Sequence, residues 1–192
     1  LMLYFDKYLR SGVYPFSREA GTDFHIRLAE VANLVVESDL PAVEDVTYAT
    51  VQKAKRLVMV IAQNVPLVPN ISNLCDQLET TRDVCLKLLY ALDRAGLLMM
   101  LTKAPKDYKH LVNPQKIYLA NTNLMYAFSP GANVGTLREI FIMNQMDVKH
   151  SVTLPTDGDF EVDGKILFEV GGKGKDFAQI AGIKDSYLAV AD

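Results

Sequence analysis

A chain of 192 residues with 49% hydrophobic content can form one sizeable domain or two small ones around a packed core. Its formal net charge of −3 gives no global pull toward nucleic acid, so any such binding has to be local. The longest apolar runs, such as 57–62, are too short to span a bilayer, which argues against a membrane partner.

The opening Leu1-Met2-Leu3-Tyr4-Phe5 lacks the basic region and small-residue cleavage site of a secretory signal, so a cytoplasmic location is expected. A chain that starts on Leu1 and stops at Asp192 directly after a strand-like run reads as a piece of a longer protein. Its two cysteines, Cys75 and Cys85, each fall on the apolar side of a helical pattern and read as buried free thiols. His25, His110 and His150 have no metal-ligand spacing to one another or to the cysteines.

The first forty residues read as two helices around a turn. Residues 4–10 are amphipathic, and Ser11-Gly12-Val13-Tyr14-Pro15 breaks the pattern. Thr22 or Asp23 is expected to cap a second helix reaching about Val36, with Phe24, Leu28, Val31 and Val35 on one stripe and Pro41 beyond its end. Three helices follow: 47–64, a short one capped by Asn70 or Ser72, and 82–95, capped by Thr80 or Thr81 and closed by a left-handed Gly96. Residues 97–101 and 116–119 then read as strands around a Lys-rich excursion holding Lys103, Lys106, Asp107, Lys109 and His110. Three helices and a two-stranded ribbon form a winged-helix pattern.

A helix that reads DNA needs a polar outward face. On 82–95 the outward arc carries Arg82, Asp83, Lys87, Asp93 and Arg94, but Leu86 and Tyr90 lie in its middle. Those two suit contact with protein better than base readout, and they suggest an oligomerising surface. Past a linker at Ser129-Pro130-Gly131 come a helix over 136–146, strands over 151–154, 158–162, 166–170 and 187–190, and a short helix over 177–180.

The stretch from Gly158 to Val170 carries the candidate chemistry. Asp163-Gly164 between alternating runs predicts a hairpin. A two-residue loop would put Asp159 and Glu169 on opposite faces, whereas the three-residue loop Val162-Asp163-Gly164 puts them on the same one. Only the second collects Phe160, Val162, Ile166, Phe168 and Val170 on one buried face, leaving Asp159, Glu161, Lys165 and Glu169 on the other. Two neighbouring carboxylates can share Mg²⁺ or Mn²⁺, Glu139 could add a third oxygen, and Lys173 could stabilise charge on a phosphate. The alternative is a merely solvated face.

The run Phe168-Glu169-Val170-Gly171-Gly172-Lys173, preceded by Gly158-Asp159-Phe160, resembles the C-terminal part of prokaryotic AAA-type ATP-binding proteins. There an ATPase module precedes a domain of unknown function, built as a winged helix plus a PD-(D/E)XK nuclease-like unit. Tyr8-Leu9-Arg10-Ser11-Gly12-Val13-Tyr14-Pro15, Lys116-Ile117-Tyr118-Leu119 with Asn123-Leu124, and Leu137-Arg138-Glu139 are similar to further motifs of that group, in the same order.

The resemblance implies an α+β fold. A helical segment over 1–40 would follow the ATPase module, with a winged helix over 41–128 and a small restriction-endonuclease-like α/β domain over 129–192. It also implies acidic ligands at Asp159 and Glu169, a helical glutamate at Glu139 and a helical glutamine at Gln179. The nuclease signature's lysine, two residues after the second acid, is replaced by Gly171. Gly172-Lys173-Gly174-Lys175 lacks the upstream glycine and the Ser/Thr of a P-loop, so no ATP site is expected here.

Three functions are therefore carried forward. The first is a recognition or regulatory region that serves the ATPase module of the same protein and binds DNA or a protein partner. The second is a metal-dependent endonuclease that uses Asp159, Glu169, Glu139 and Lys173, with Lys103, Lys106, Lys109 and Gln179 on the nucleic acid. The third is an oligomerisation module.

Overall fold

The computed structural model describes residues 2–43, 47–105, 111–129, 131 and 133–191, and among these the fold is mixed α+β with two small sheets. Lys106 and Lys109 of the expected basic excursion lie outside the described residues. No helix among the described residues is long and apolar enough to cross a membrane.

Helix α1 (Met2–Ser11) stops at the expected break. The short α2 (Ser17–Ala20) and a 3₁₀ turn at Gly21–Asp23 run straight into α3 (Phe24–Val43), so Asp23 sits inside a helical turn and the expected cap at Thr22 or Asp23 is not used. α3 also continues past Val36 and through Pro41, because a proline in the last turn removes only one hydrogen bond from an end that is already short of partners. Its buried row is Phe24, Leu28, Ala32 and Val36, spaced four apart, and Val31 is 42% exposed. This row packs against α4 and α7, which narrows the inward face to one residue per turn.

The helices α4 (Tyr48–Gln63), α5 (Ile71–Leu78) and α6 (Arg82–Arg94) begin where an apolar repeat follows a polar cap. Thr47 accepts from Thr50 N–H, Asn70 from Asn73 N–H, and Thr81 from Val84 N–H. Gly96, at φ +70°, closes α6 with Gly96 N–H on Asp93 O and Leu97 N–H on Leu92 O. Strands β1 (Leu98–Leu101) and β2 (Lys116–Leu119) pair antiparallel, Leu98 opposite Leu119. Leu67, between α4 and α5, adds a rung to β2 through two hydrogen bonds with Ile117, at 2.9 and 2.8 Å.

Residues 122–128, not expected to be helical, form α7 (Thr122–Phe128), capped by Asn121. The fully buried Asn123 explains its place. Its carbonyl accepts from Val13 N–H at 2.9 Å, and its amide donates to Tyr8 O and Leu9 O at 3.2 and 2.7 Å, which pins the end of α1 onto α7. Helix α8 (Val134–Asp147) follows, then a sheet ordered β3 (Val152–Thr153), β4 (Phe160–Val162), β5 (Ile166–Gly172), β6 (Ser186–Ala191). The β3–β4 and β4–β5 pairs are antiparallel, and β5–β6 is parallel. One continuous cluster of buried side chains runs from α3 through the β1–β2 ribbon to α8 and the second sheet.

Candidate functional site

The site is built on the β4–β5 hairpin. Val162 pairs with Ile166, so the three-residue loop is Asp163-Gly164-Lys165, one residue later than expected. Val162 is held in the sheet because it pairs with Val152 on its other side and is buried. Asp163 tolerates φ +54° because its carboxylate caps Ser151 N–H at 2.9 Å and meets His150 Nδ1 at 2.7 Å. Those contacts, Ser151 N–H first, hold the Asp163 carboxyl below the usual range.

The shift moves the loop but keeps the parity, so Asp159 and Glu169 share a face. Asp159 brackets Glu169: its N–H donates to Phe168 O at 2.9 Å, and its carboxylate accepts from Val170 N–H at 2.8 Å. The face itself differs from expectation. Glu169 is 2% exposed and Leu167 is buried, while Ile166 and Phe168 on the supposed core face are only half-buried. β5 lies between β4 and β6 and is covered on both sides. A side chain at Gly172 would meet Arg138 of α8, whereas one at Gly171 would meet Lys175 of the loop leading to β6. The acid face is thus roofed by the chain's own crossover, and a purely solvated Glu169 is ruled out.

Lys173 is exposed and does not provide the cation at this centre. That cation is Lys175, folded back by a turn in which Lys175 N–H donates to Gly172 O at 2.9 Å. Its ammonium pairs with Glu169 Oε1 and donates to Gln179 Oε1. Glu169 raises the Lys175 pKa, first through that hydrogen bond. Gln179, expected on nucleic acid, is placed here as a support for Lys175. Glu139 Oε2 is held by Lys116 Nζ at 2.9 Å and by the Tyr118 hydroxyl, which ties α8 to β2 and sets Glu139 close enough to act on Asp159. Burial, and then the nearby Glu139, push the Tyr118 pKa upward.

Asp159 is the electrostatic centre of the cluster. Burial raises its pKa first, the Val170 N–H lowers it, and Glu139 and Glu169 raise it again. The other notable atom is Glu169 Oε2, which is buried with no hydrogen-bond partner. An ionised oxygen in that state costs free energy unless something cationic meets it. Among the described residues no group of three or more His, Cys, Asp and Glu is placed to hold a metal ion, so a cation there would rest on Asp159 and Glu169 and on outside ligands. The orphaned oxygen and the hard carboxylate donors fit Mg²⁺ or Mn²⁺.

Lys103 is exposed and lines a cleft of about 720 Å³ with Lys165, Lys184 and Glu161, on the same odd-numbered face of the hairpin. No family model, curated protein or solved structure matches this chain.

On α6, Leu86 and Tyr90 are buried against the chain itself, and the Tyr90 hydroxyl bonds the backbone of Val112 at 3.1 Å. They therefore lend no support to an oligomerising surface. Asp93 is buried too and accepts from Met100 N–H at 3.0 Å. Only a narrow strip of α6, including Arg82, Asp83, Lys87 and Arg94, stays exposed, with Lys87 paired to Asp83. Such a helix has no broad face to lay in a major groove. Cys75 and Cys85 are buried and unbridged, and burial with the neighbouring Cys75 pushes the Cys85 thiol up to about 12.

Missed by sequence reasoning were Lys175, Lys116 and Tyr118. Lys175 was within reach, since it has the odd parity of Glu169 and follows a Gly-Gly pair. The other two were not, because nothing local to β2 points at α8.

Proposed function

We propose that this chain is the recognition region that follows the ATPase module of an AAA-type ATP-binding protein, a winged-helix unit joined to a nuclease-like unit. Its acid centre engages a nucleic-acid phosphodiester through a divalent cation. The order α4, Leu67 rung, α5, α6, β1, β2 supports the winged-helix assignment, because a strand residue between the first two helices completes the three-stranded wing sheet. The mixed sheet with acids at β4 and β5 supports the nuclease-like one.

The observation that carries the functional reading is Glu169, buried beside Asp159 with one oxygen on Lys175 and the other without a partner. Contact with DNA is assigned to this centre and to Lys103, Lys106 and Lys109, rather than to α6.

A second reading, cleavage of the phosphodiester, is favoured by Lys175 standing against Glu169. Asp159 and Glu169 would hold Mg²⁺ or Mn²⁺, which supplies Lewis-acid polarisation of a phosphoryl oxygen. Lys175 sets a cation against Glu169, and Gln179 accepts from Lys175 and orients it.

Mn²⁺ calorimetry on the wild type, Asp159→Ala and Glu169→Ala tests the first reading, and a plasmid-nicking assay the second. Metal heat lost in both variants is expected. No heat in the wild type ends both readings, whereas heat without nicking ends cleavage alone. DNA binding that strengthens as salt is lowered and weakens in Lys103→Ala, Lys106→Ala and Lys109→Ala is the matching expectation for the recognition role.

A further inference from the structure

A groove of about 680 Å³ lies between α1 and the turn that follows it, well within the size of small-molecule sites. Tyr4, Lys7, Tyr8 and Ser11 form one wall and Tyr14 and Arg18 belong to the other. The spacing 4, 7, 8, 11 puts one stripe of α1 along the groove.

Its walls are held rigidly. Asn123, fully buried, clamps Tyr8 O, Leu9 O and Val13 N–H. The Tyr8 ring meets Phe141 edge-on at 6.3 Å, and the Tyr14 hydroxyl accepts from Asn121 at 2.9 Å. The groove's mobile chemistry is therefore left to three exposed groups. Tyr4 is 77% exposed, an aromatic ring without cover. Lys7 and Arg18 are exposed cations with no carboxylate partner among the described residues, in a chain whose net charge is −3. Arg10, by contrast, is neutralised by Asp6 at 3.1 Å.

An uncovered aromatic ring beside two unpaired cations matches a flat π-system that carries negative charge. We propose that the groove binds a nucleoside phosphate, the base against Tyr4 and the phosphate between Lys7 and Arg18. A free nucleotide and a nucleotide within a single strand share this chemistry. The site is separate from the acid centre and does not depend on it.

The test is titration of the 192-residue chain with AMP, ATP, pyrophosphate, dTMP and (dT)8, followed by tyrosine fluorescence, which no tryptophan obscures. Saturable nucleotide binding is expected, weakened about tenfold by Tyr4→Ala and by the Lys7→Ala/Arg18→Ala pair. It should be unchanged by EDTA, which strips any divalent cation from the acid centre and so separates the two sites. Tighter binding of (dT)8 than of dTMP assigns the groove to a strand, and equal binding assigns it to a free nucleotide. Pyrophosphate binding as tightly as ATP overturns the proposal, as does no saturation by any nucleotide at millimolar concentration or undiminished binding in the variants. All three side chains are exposed, so circular-dichroism melts superimposable on the wild type confirm that lost binding is not lost fold.

Discussion

The stem of Lys175 occupies the space that a side chain at Gly171 would fill. The two positions therefore share one volume on the acid face of β5: residue 171 gives up its side chain, and residue 175 delivers an ammonium to Glu169 from the crossover instead. Gly171→Ala is expected to destabilise the fold by roughly 1–3 kcal/mol, the usual cost of forcing extra carbon into a packed site. In a Lys175→Gly background most of that cost should vanish, and Gly171→Lys should restore a cation beside Glu169. Urea denaturation of the double-mutant cycle measures this; full additivity of the two changes would contradict shared space.

Lys175→Met keeps the stem and removes the charge. Glu169 would then be buried with neither oxygen paired, and a loss of about 2 kcal/mol is expected at pH 7. That is below the range for a fully buried pair, because the lysine side chain is 31% exposed. Adding Glu169→Gln should recover most of the loss, since the uncompensated charge goes with it. Mn²⁺ should raise the melting temperature of Lys175→Met more than that of the wild type, because a cation at the orphaned oxygen replaces what the lysine supplied. Equal shifts in the two proteins would place metal binding elsewhere.

The pH dependence of Asp159 runs opposite to that of an ordinary ion-paired carboxylate. Burial raises its folded pKa, with Glu139 and Glu169 adding to the rise, so the folded state holds this proton more tightly than the unfolded chain. Stability from this group is lost as pH climbs from the unfolded carboxylate value through the folded one. Above that folded value the ionised Asp159 is a cost. Asp159→Asn, which keeps an oxygen for the Val170 N–H, should raise the melting temperature at pH 7 and change it less near pH 4. A melting temperature lowered at pH 7 would show that the carboxylate is compensated after all.

What the sequence makes legible divides along physical lines. Caps and periodicity are local, so Asn70 and Thr81, each one of two candidate caps, and the left-handed Gly96 were legible, as were the inward rows of α4 and α5. Strand parity is local too, and it brought Asp159 and Glu169 to one face. Residue identity alone misled where tertiary contact decides. Leu86 and Tyr90 looked like an outward patch, but both are buried, and Tyr90 bonds Val112. The helix at Thr122–Phe128 was hidden because a short polar-apolar segment after a strand carries little period of its own. Lys173 and Lys175 are both lysines in one Gly-rich turn, and only the turn's closure at Gly172 selects between them.

Tyr90→Phe tests the reassignment of that patch. The hydroxyl both donates to Val112 O and accepts from Val112 N–H, so its removal leaves two backbone groups short of a partner. A cost of about 1–3 kcal/mol follows from unmet hydrogen bonds. Light scattering across a hundredfold range of concentration should be identical for wild type and variant. A change in mass would return the residue to an intermolecular role.

Asn123 offers the sharpest test of how the N-terminal helix is held. Its side chain makes three hydrogen bonds to backbone atoms more than a hundred residues away in sequence, and it is wholly buried. Asn123→Ala leaves Val13 N–H and two carbonyls at the end of α1 without their partner, so a loss of about 3 kcal/mol is expected. Asn123→Asp should be at least as damaging: it keeps an acceptor for Val13 but sets a buried carboxylate against the carbonyls of Tyr8 and Leu9. Hydrogen exchange localises the effect. Amides of residues 5–13 should lose protection in both variants while those of α4 and α6 keep theirs, because the clamp's hydrogen bonds join α1 to α7 and none goes to α4 or α6. A uniform loss of protection across all the helices would instead make Asn123 part of the global core.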